Sequence, residues 1–256
     1  MSSSPNAGDF SLSGLRALVT GGGSGIGDAI ATGMRNAGAT VVVCDVNDST
    51  KPNYICDVSQ TADVEAMFQG IRRDLGGLDI LVNNVGVPGP TARVDEMDPD
   101  AYDECVRVNL GGTFRCAHAA VPMLIDSKGS MINISTSAGI YGYPLRSPYV
   151  AAKWGIIGLT KSWAMELGEF GVRVNAICPG SVSGPRMDGV IARESIATGI
   201  PEAELRRGYA HQVSMRTFVE ASDIAASAVF LSSPAARFIT GQVLPVDGNI
   251  ETMRAD

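Results

Sequence analysis

The sequence predicts an α/β fold: a doubly wound, Rossmann-like parallel sheet of about seven strands with helices on both faces. Three observations carry this expectation. Short β-branched runs alternate with longer amphipathic stretches along the whole chain. The runs are apolar almost throughout rather than at every second residue, the pattern of strands covered on both sides. A glycine-rich turn follows the first run and leads at once into a helical stretch, as in a dinucleotide-binding βα unit.

Taken in order, the strands are RALVTG (16–21), TVVVCDV (40–46), NYICDV (53–58), DILVNN (79–84), SMINIS (130–135), RVNAICP (173–179) and GQVLPVDG (241–248). Helix-like segments fall between them at 28–37, 62–75, 100–125, 149–170 and 221–231. The repeated β-then-α order, joined by right-handed crossovers, makes a parallel sheet. Residues 181–220 are the least regular, with Pro185, Gly189, Gly199, Pro201 and Gly208 between weakly patterned helical pieces. A long excursion after a strand reads as a substrate loop. No linker, charge run or repeat divides the chain, so one domain is expected over 12–256, behind a mobile lead-in at 1–11.

The chain has 256 residues, 45% of them hydrophobic and 18% charged, ordinary values for a globular protein. A net charge of −7 argues against a nucleic-acid or anionic-membrane surface, which needs a basic stripe. Five widely spaced cysteines and two histidines, His118 and His211, form no metal-ligand pattern, so no metal is expected. The thiols read as reduced and mostly buried, which fits a cytoplasmic protein. No run approaches the ~18 apolar residues of a membrane span. The start, MSSSPNAGDF, lacks the basic and apolar regions of a signal peptide.

The glycine loop TGGGSGIG spans 20–27. Gly21, Gly23, Ser24, Gly25, Ile26 and Gly27 would let backbone N–H groups approach a pyrophosphate that the helix N-terminus stabilises. Eighteen residues past Gly27, at the end of the second strand, stands Asp45. A carboxylate there can accept from adenosine ribose hydroxyls and would repel a 2′-phosphate. VCDVND offers no arginine or lysine to such a phosphate, so NAD is the expected cofactor.

Tyr149 and Lys153, four residues apart, share one face of a helix. A free tyrosine ionises near ~10, and an ammonium a few ångströms away favours the phenolate. Such a pair can take the proton from a substrate hydroxyl as hydride leaves its carbon, or return it in reverse. A third group should donate to the substrate oxygen as charge develops, and three consecutive hydroxyls, Ser135, Thr136 and Ser137, are available.

These motifs together resemble the short-chain dehydrogenase/reductase family in its ~250-residue single-domain form, over nearly the whole chain. The resemblance implies that Asp57-Val58 contacts adenine. It places the family's NNAG at Asn83-Asn84-Val85-Gly86, with valine in place of alanine, and its strand-end PG at Pro179-Gly180. It makes Tyr149–Lys153 the catalytic YxxxK, with the lysine also reaching the nicotinamide ribose. Asn109 matches the residue that kinks a helix and anchors a proton-carrying water. The family serine sits about thirteen residues before the tyrosine, which puts Thr136 in its slot. Strand alternation turns Ser135 away if Thr136 faces the cofactor, and Ser137 is the reserve. After Pro179-Gly180 the chain has Gly184 where many members carry a threonine, leaving Val182 or Ser183 to replace its contact. The resemblance also implies a homotetramer, packed through helices near 100–125 and 149–170 and strands near 241–248.

The substrate, a small molecule, is expected between the 137–147 loop and the 181–220 segment. Tyr143, Arg146, Arg186 and Met187 are the substrate-binding candidates, with Leu145 and His211 also in reach. An inward arginine could clamp a carboxylate, sulfonate or phosphate. Otherwise a polyol, sugar or other secondary alcohol is expected, oxidised with NAD. The alternatives are an NADPH-dependent 3-oxoacyl-thioester reductase, which Asp45 opposes, and a non-catalytic NAD-binding protein, which intact Tyr149 and Lys153 oppose.

Overall fold

A computed structural model describes residues 10–250. Its sheet holds seven parallel strands: β1 (Arg16–Thr20), β2 (Thr40–Asp45), β3 (Tyr54–Ile55), β4 (Ile80–Asn83), β5 (Ser130–Ile134), β6 (Arg173–Pro179) and β7 (Val243–Val246). Their order is β3-β2-β1-β4-β5-β6-β7. Strand order reverses at the β1–β4 pair, and this opens a crevice beyond the carboxyl ends of the strands.

The helices are α1 (Gly25–Asn36), α2 (Thr61–Leu75), α3 (Pro99–Val106), α4 (Gly112–Ser127), α5 (Ser147–Leu167), α6 (Pro185–Thr198), α7 (Glu202–His211) and α8 (Ala221–Ser232). Successive strand residues feed two separate cores. Leu18, Leu81 and Met131 meet α2, α4 and α5 through Met67, Phe68, Leu124 and Trp163. Ala17, Val19, Ile80, Val82 and Ile132 meet α1 and α8 through Ile30, Met34, Ile224 and Leu231. With helices on both faces, neither strand face can be polar, and the runs are continuously apolar for that reason.

The elements depart from the sequence expectation in four places. The helix that periodicity expects over 100–125 is interrupted by a π-helical turn at Arg107–Gly111, at the Asn109 where the family resemblance implies a kink. There Asn109 Nδ2 donates to the Cys105 carbonyl at 2.8 Å and Thr113 Oγ1 to the Asn109 carbonyl at 2.8 Å, side-chain bonds that compete with the helical ladder. The third strand shrinks to Tyr54–Ile55. On one side of it Asn53 accepts from the Val43 amide through its side chain, and on the other Asp57 turns the chain by accepting from Ser59 N. The irregular 181–220 segment contains two helices, α6 and α7, with Gly199 between them at φ 75°. Of the expected lead-in, residues 1–9 lie outside the described residues, while Phe10 sets its ring 5.9 Å from that of Phe230.

A buried polar chain ties the sheet to α5. Asn83 Nδ2 donates to Asn133 Oδ1, and Asn133 Nδ2 donates to Thr160 Oγ1, each at 2.9 Å. Thr160 donates in turn to the Ile156 carbonyl. Replacing Asn133 with alanine leaves the buried Asn83 Nδ2 without a partner and takes a donor from Thr160, at a cost of about 1–3 kcal/mol. Urea unfolding of Asn133→Ala should show that loss, and a midpoint within error of wild type would show that the chain carries no weight.

Candidate active site

One cavity of about 660 Å³ occupies the crevice, lined at one end by the glycine loop and at the other by the segment after β6. The glycine loop turns because Gly21 adopts φ 62°, a conformation side chains disfavour. At Gly27 a Cβ would lie 2.1 Å from the Gly21 carbonyl oxygen, so turn and helix approach as closely as bare backbone permits. Ser24, Gly25, Ile26 and Gly27 line the cavity, and α1 begins at Gly25, directing its positive end there.

Asp45 borders the same cavity at the end of β2. Its Oδ2 accepts from Gly23 N at 3.1 Å and its Oδ1 from Asn47 N at 3.0 Å. Asp57 and Val58 line the wall beside it. Although burial opposes it, hydrogen bonds from Ser59 and Gln60 hold the Asp57 carboxyl below its usual range. These bare glycines, a helix N-terminus and a terminal carboxylate form a cradle that fits a dinucleotide. Of the NNAG counterpart, Val85 and Gly86 line the cavity, as does Asn84. Asn83 does not: it is 3% exposed and spent on Asn133. Asn84 instead braces the loop, its Nδ2 donating to the carbonyls of Thr20 and Gly21.

Tyr149 and Lys153 lie on α5, facing the cavity. Lys153 Nζ is 5.8 Å from the centre of the Tyr149 ring and donates to the Ile134 carbonyl at 2.9 Å. Burial first, and the charge of Arg186 second, pull the Lys153 ammonium down to about 7.

The three hydroxyls part company. Ser135 is buried and donates to the Lys153 carbonyl at 2.9 Å, while Ser137 is buried and donates to Asp247 Oδ2 at 3.1 Å. Thr136 is half-buried, and its hydroxyl has one long contact, 3.4 Å to the Pro179 carbonyl. Asn109 is fully buried. Its Nδ2 is spent on the carbonyls of Cys105 and Val87, and its Oδ1 has no partner among the described residues. That oxygen flanks Gly86: a Cβ there would lie 2.6 Å from it and 3.4 Å from Lys153 Nζ.

Pro179, Gly180 and Val182 line the cavity, as do Tyr143, Arg146, Arg186 and Met187. Leu145 and His211 line a second cavity of about 1170 Å³ instead, which shares Tyr143, Arg146 and Tyr209 with the first. Sequence reasoning missed Asp247, which holds Ser137, and the cluster in which Tyr209 meets both Tyr143 and Glu194. Burial raises the Tyr143 hydroxyl above its ordinary value. Neither group sits in a motif, and Asp247 lies 110 residues from its partner, so no local signal could have found them. Among the described residues no cluster of three metal-ligating side chains occurs and no helix is long and apolar enough to cross a membrane.

The depressed Lys153 sets a pH dependence with a definite sign. The unfolded chain keeps this proton up to about 10.5 and the folded protein releases it near 7. Between those limits the unfolded state binds more protons, so stability rises with pH. The penalty is complete below pH ~7 and gone above ~10.5. Cofactor-free Lys153→Met should exceed wild type in stability by a margin that narrows from pH 6.5 to 10, read by urea unfolding. A margin constant across that range would contradict the assignment.

The profile of a family described as "Enoyl-(Acyl carrier protein) reductase" matches residues 21–249. A 2,5-dichloro-2,5-cyclohexadiene-1,4-diol dehydrogenase of Sphingobium indicum is 34% identical, over 93% of this chain and 97% of that protein. A D-beta-hydroxybutyrate dehydrogenase of Cupriavidus necator is also 34% identical, over 93% and 98%. Among solved structures, NAD+-bound xylitol dehydrogenase superposes with a TM-score of 0.88 at 26% identity, over 93% of this chain and 99% of that one. The chain belongs to the short-chain dehydrogenase/reductase family and is an oxidoreductase acting on CH–OH groups.

Proposed function

We propose that the protein transfers a hydride between NAD(H) and a secondary alcohol or its ketone. The observation that carries this reading is one cavity bordered by the glycine cradle, Asp45, the Tyr149–Lys153 pair and the Thr136 hydroxyl. Bound nicotinamide would supply the hydride acceptor. The cradle, with Asp57, Val58, Val85, Gly86, Pro179, Gly180 and Val182, would hold the dinucleotide. Asp45 disfavours a 2′-phosphate by charge repulsion, which supports NAD over NADP.

Tyr149 takes the carbinol proton as the C–H bond breaks, and returns it in the reverse direction. Lys153 supplies positive charge on the cofactor side of the ring. Thr136 donates to the substrate oxygen; it is the member of the trio least held by the protein, with only the 3.4 Å contact to Pro179, since Ser135 serves Lys153 and Ser137 serves Asp247. Asn109 Oδ1, unpartnered beside Gly86 and close to Lys153 Nζ, would anchor the water through which Lys153 exchanges protons with solvent. Half-exposed Phe114 and Trp154, with Met165 84% exposed, support a homotetramer built on α4 and α5. Five buried thiols support a reducing, cytoplasmic setting.

Four variants test this reading with NAD and a panel of secondary alcohols. Tyr149→Phe should abolish turnover while NADH binding persists; unimpaired turnover would instead support the non-catalytic reading. Thr136→Val should lower kcat by roughly 10²–10³. Ser135→Ala should keep kcat within a few fold and lose about 1 kcal/mol of stability, and the reverse pattern would move the donor role to Ser135. Asp45→Ser should raise relative use of NADP tenfold or more, since a like charge ~4 Å away costs about 1–4 kcal/mol. Wild type preferring NADPH would revive the 3-oxoacyl-thioester reductase alternative.

A further inference from the structure

Arg146 is out of place by the ordinary rules for charged side chains. It is 5% exposed, and a buried guanidinium is normally matched by a carboxylate. Among the described residues it makes no ion pair. Its one side-chain hydrogen bond among the described residues runs from Nη2 to the Pro88 carbonyl at 2.6 Å, and its buried Nε has no partner there. The guanidinium carbon lies 5.2 Å from the centre of the Tyr149 ring and 5.6 Å from that of Tyr143. It therefore sits beside the proposed proton acceptor, and it borders both cavities. Arg186 lines the first cavity as well and likewise makes no ion pair among the described residues.

This asymmetry has a chemical meaning. A desolvated cation with an idle donor is costly in the empty protein and becomes favourable when a ligand brings the missing anion. We propose that Arg146, supported by Arg186, is the docking point for an anionic group on the substrate, and that the substrate is a secondary alcohol bearing a small oxyanion, such as a carboxylate, a few bonds from its carbinol carbon. The site deepens the dehydrogenase reading and rests on it for the position of the carbinol. Arg146 then selects among alcohols, while Tyr149 acts on whichever is held. The reaction itself is unchanged: the carbinol carbon would give its hydride to the nicotinamide, the hydroxyl proton goes to Tyr149, and the anion is a spectator.

The test titrates acetate, ethanesulfonate, inorganic phosphate and the neutral acetamide into the NADH complex, followed by NADH fluorescence, for wild type, Arg146→Gln and Arg146→Lys. Acetate should bind wild type saturably and acetamide should not, with ethanesulfonate and phosphate ranking the oxyanion that fits. Arg146→Gln should weaken acetate roughly tenfold to a hundredfold, as loss of a charge-assisted hydrogen bond implies, and Arg146→Lys should recover part of it. In parallel, kcat/KM for 3-hydroxybutyrate over its methyl ester should favour the acid in wild type, with the preference collapsing through KM in Arg146→Gln. Equal response to acetate and acetamide in wild type would overturn the proposal, with no variant needed. So would an Arg146→Gln protein whose pH–rate profile shifts equally for acid and ester, because Arg146 would then only position Tyr149. Tyr149→Phe separates the two readings. If it keeps full turnover, the proton-transfer assignment fails, and the acetate titration still decides the anion site.

Discussion

A buried ammonium at the junction of β5 and α5 is the interaction on which the rest of the site depends. Lys153 Nζ donates to the Ile134 carbonyl, and the Lys153 carbonyl accepts from Ser135 Oγ. Each side of the junction thus gives to the other. The exchange fixes the end of the strand against the second turn of the helix, so Thr136, just past the strand end, and Tyr149, one turn earlier on the helix, border one cavity. Lower down, Asn133 and Thr160 repeat the attachment between the same two elements. An amine buried this deeply works against folding, as its depressed ionisation shows. Its retention is intelligible as a cost borne for a working site.

The charge in the crevice is distributed by position. The end near β2 and β3 is acidic, with Asp45 and Asp57, and the end near α5 and α6 is cationic, with Arg146, Lys153 and Arg186. The protein as a whole carries a net charge of −7, so three cations around one cavity run against the overall balance. Coulomb interactions strengthen as water is excluded, which makes their placement consequential there and of little account at the surface. An acidic end suits ribose hydroxyls, and a cationic end suits developing or resident negative charge.

What could be read from the sequence follows the range of the forces involved. The strands were legible because covering both faces of a sheet forces continuous apolar runs, and Leu18 and Val19 show the two destinations directly. The glycine cradle and the Tyr149–Lys153 pair were legible because turn chemistry and helical spacing are local. Other features depend on distant partners. Asn83 and Asn84 are chemically identical neighbours, and only the sheet decides which one faces Asn133 and which faces the glycine loop. Ser137 resembles Thr136 until Asp247 arrives from the far end of the chain. The break at Arg107–Gly111 was invisible to apolar periodicity, which runs across it; it arises from Asn109 and Thr113 bonding to backbone carbonyls. Arg146 was visible as a residue near the substrate, but its burial was not.

The two sides of the substrate cavity differ in rigidity. Helix α5 buries eight residues along its length, including Lys153 and Trp163, whereas α6 buries Ile191 alone and α7 Tyr209 alone. Helices with so little apolar contact belong to the least stable part of a fold, and here the cluster of Tyr209 with Tyr143 and Glu194 holds them to the loop before α5. Shape selection by α6 and α7 is therefore adjustable, because those walls can shift with little disturbance to the core. Arg146 belongs to the opposite class. It immediately precedes α5, three residues before Tyr149, and is anchored by the Pro88 carbonyl. Charge would be recognised at the start of the helix that carries Tyr149, so a group bound there is referenced to the Tyr149 hydroxyl and not to the sparsely buried wall of α6 and α7. Adjustable helices then tolerate variation in the remainder of the substrate, while the spacing between anion and carbinol is held by the scaffold.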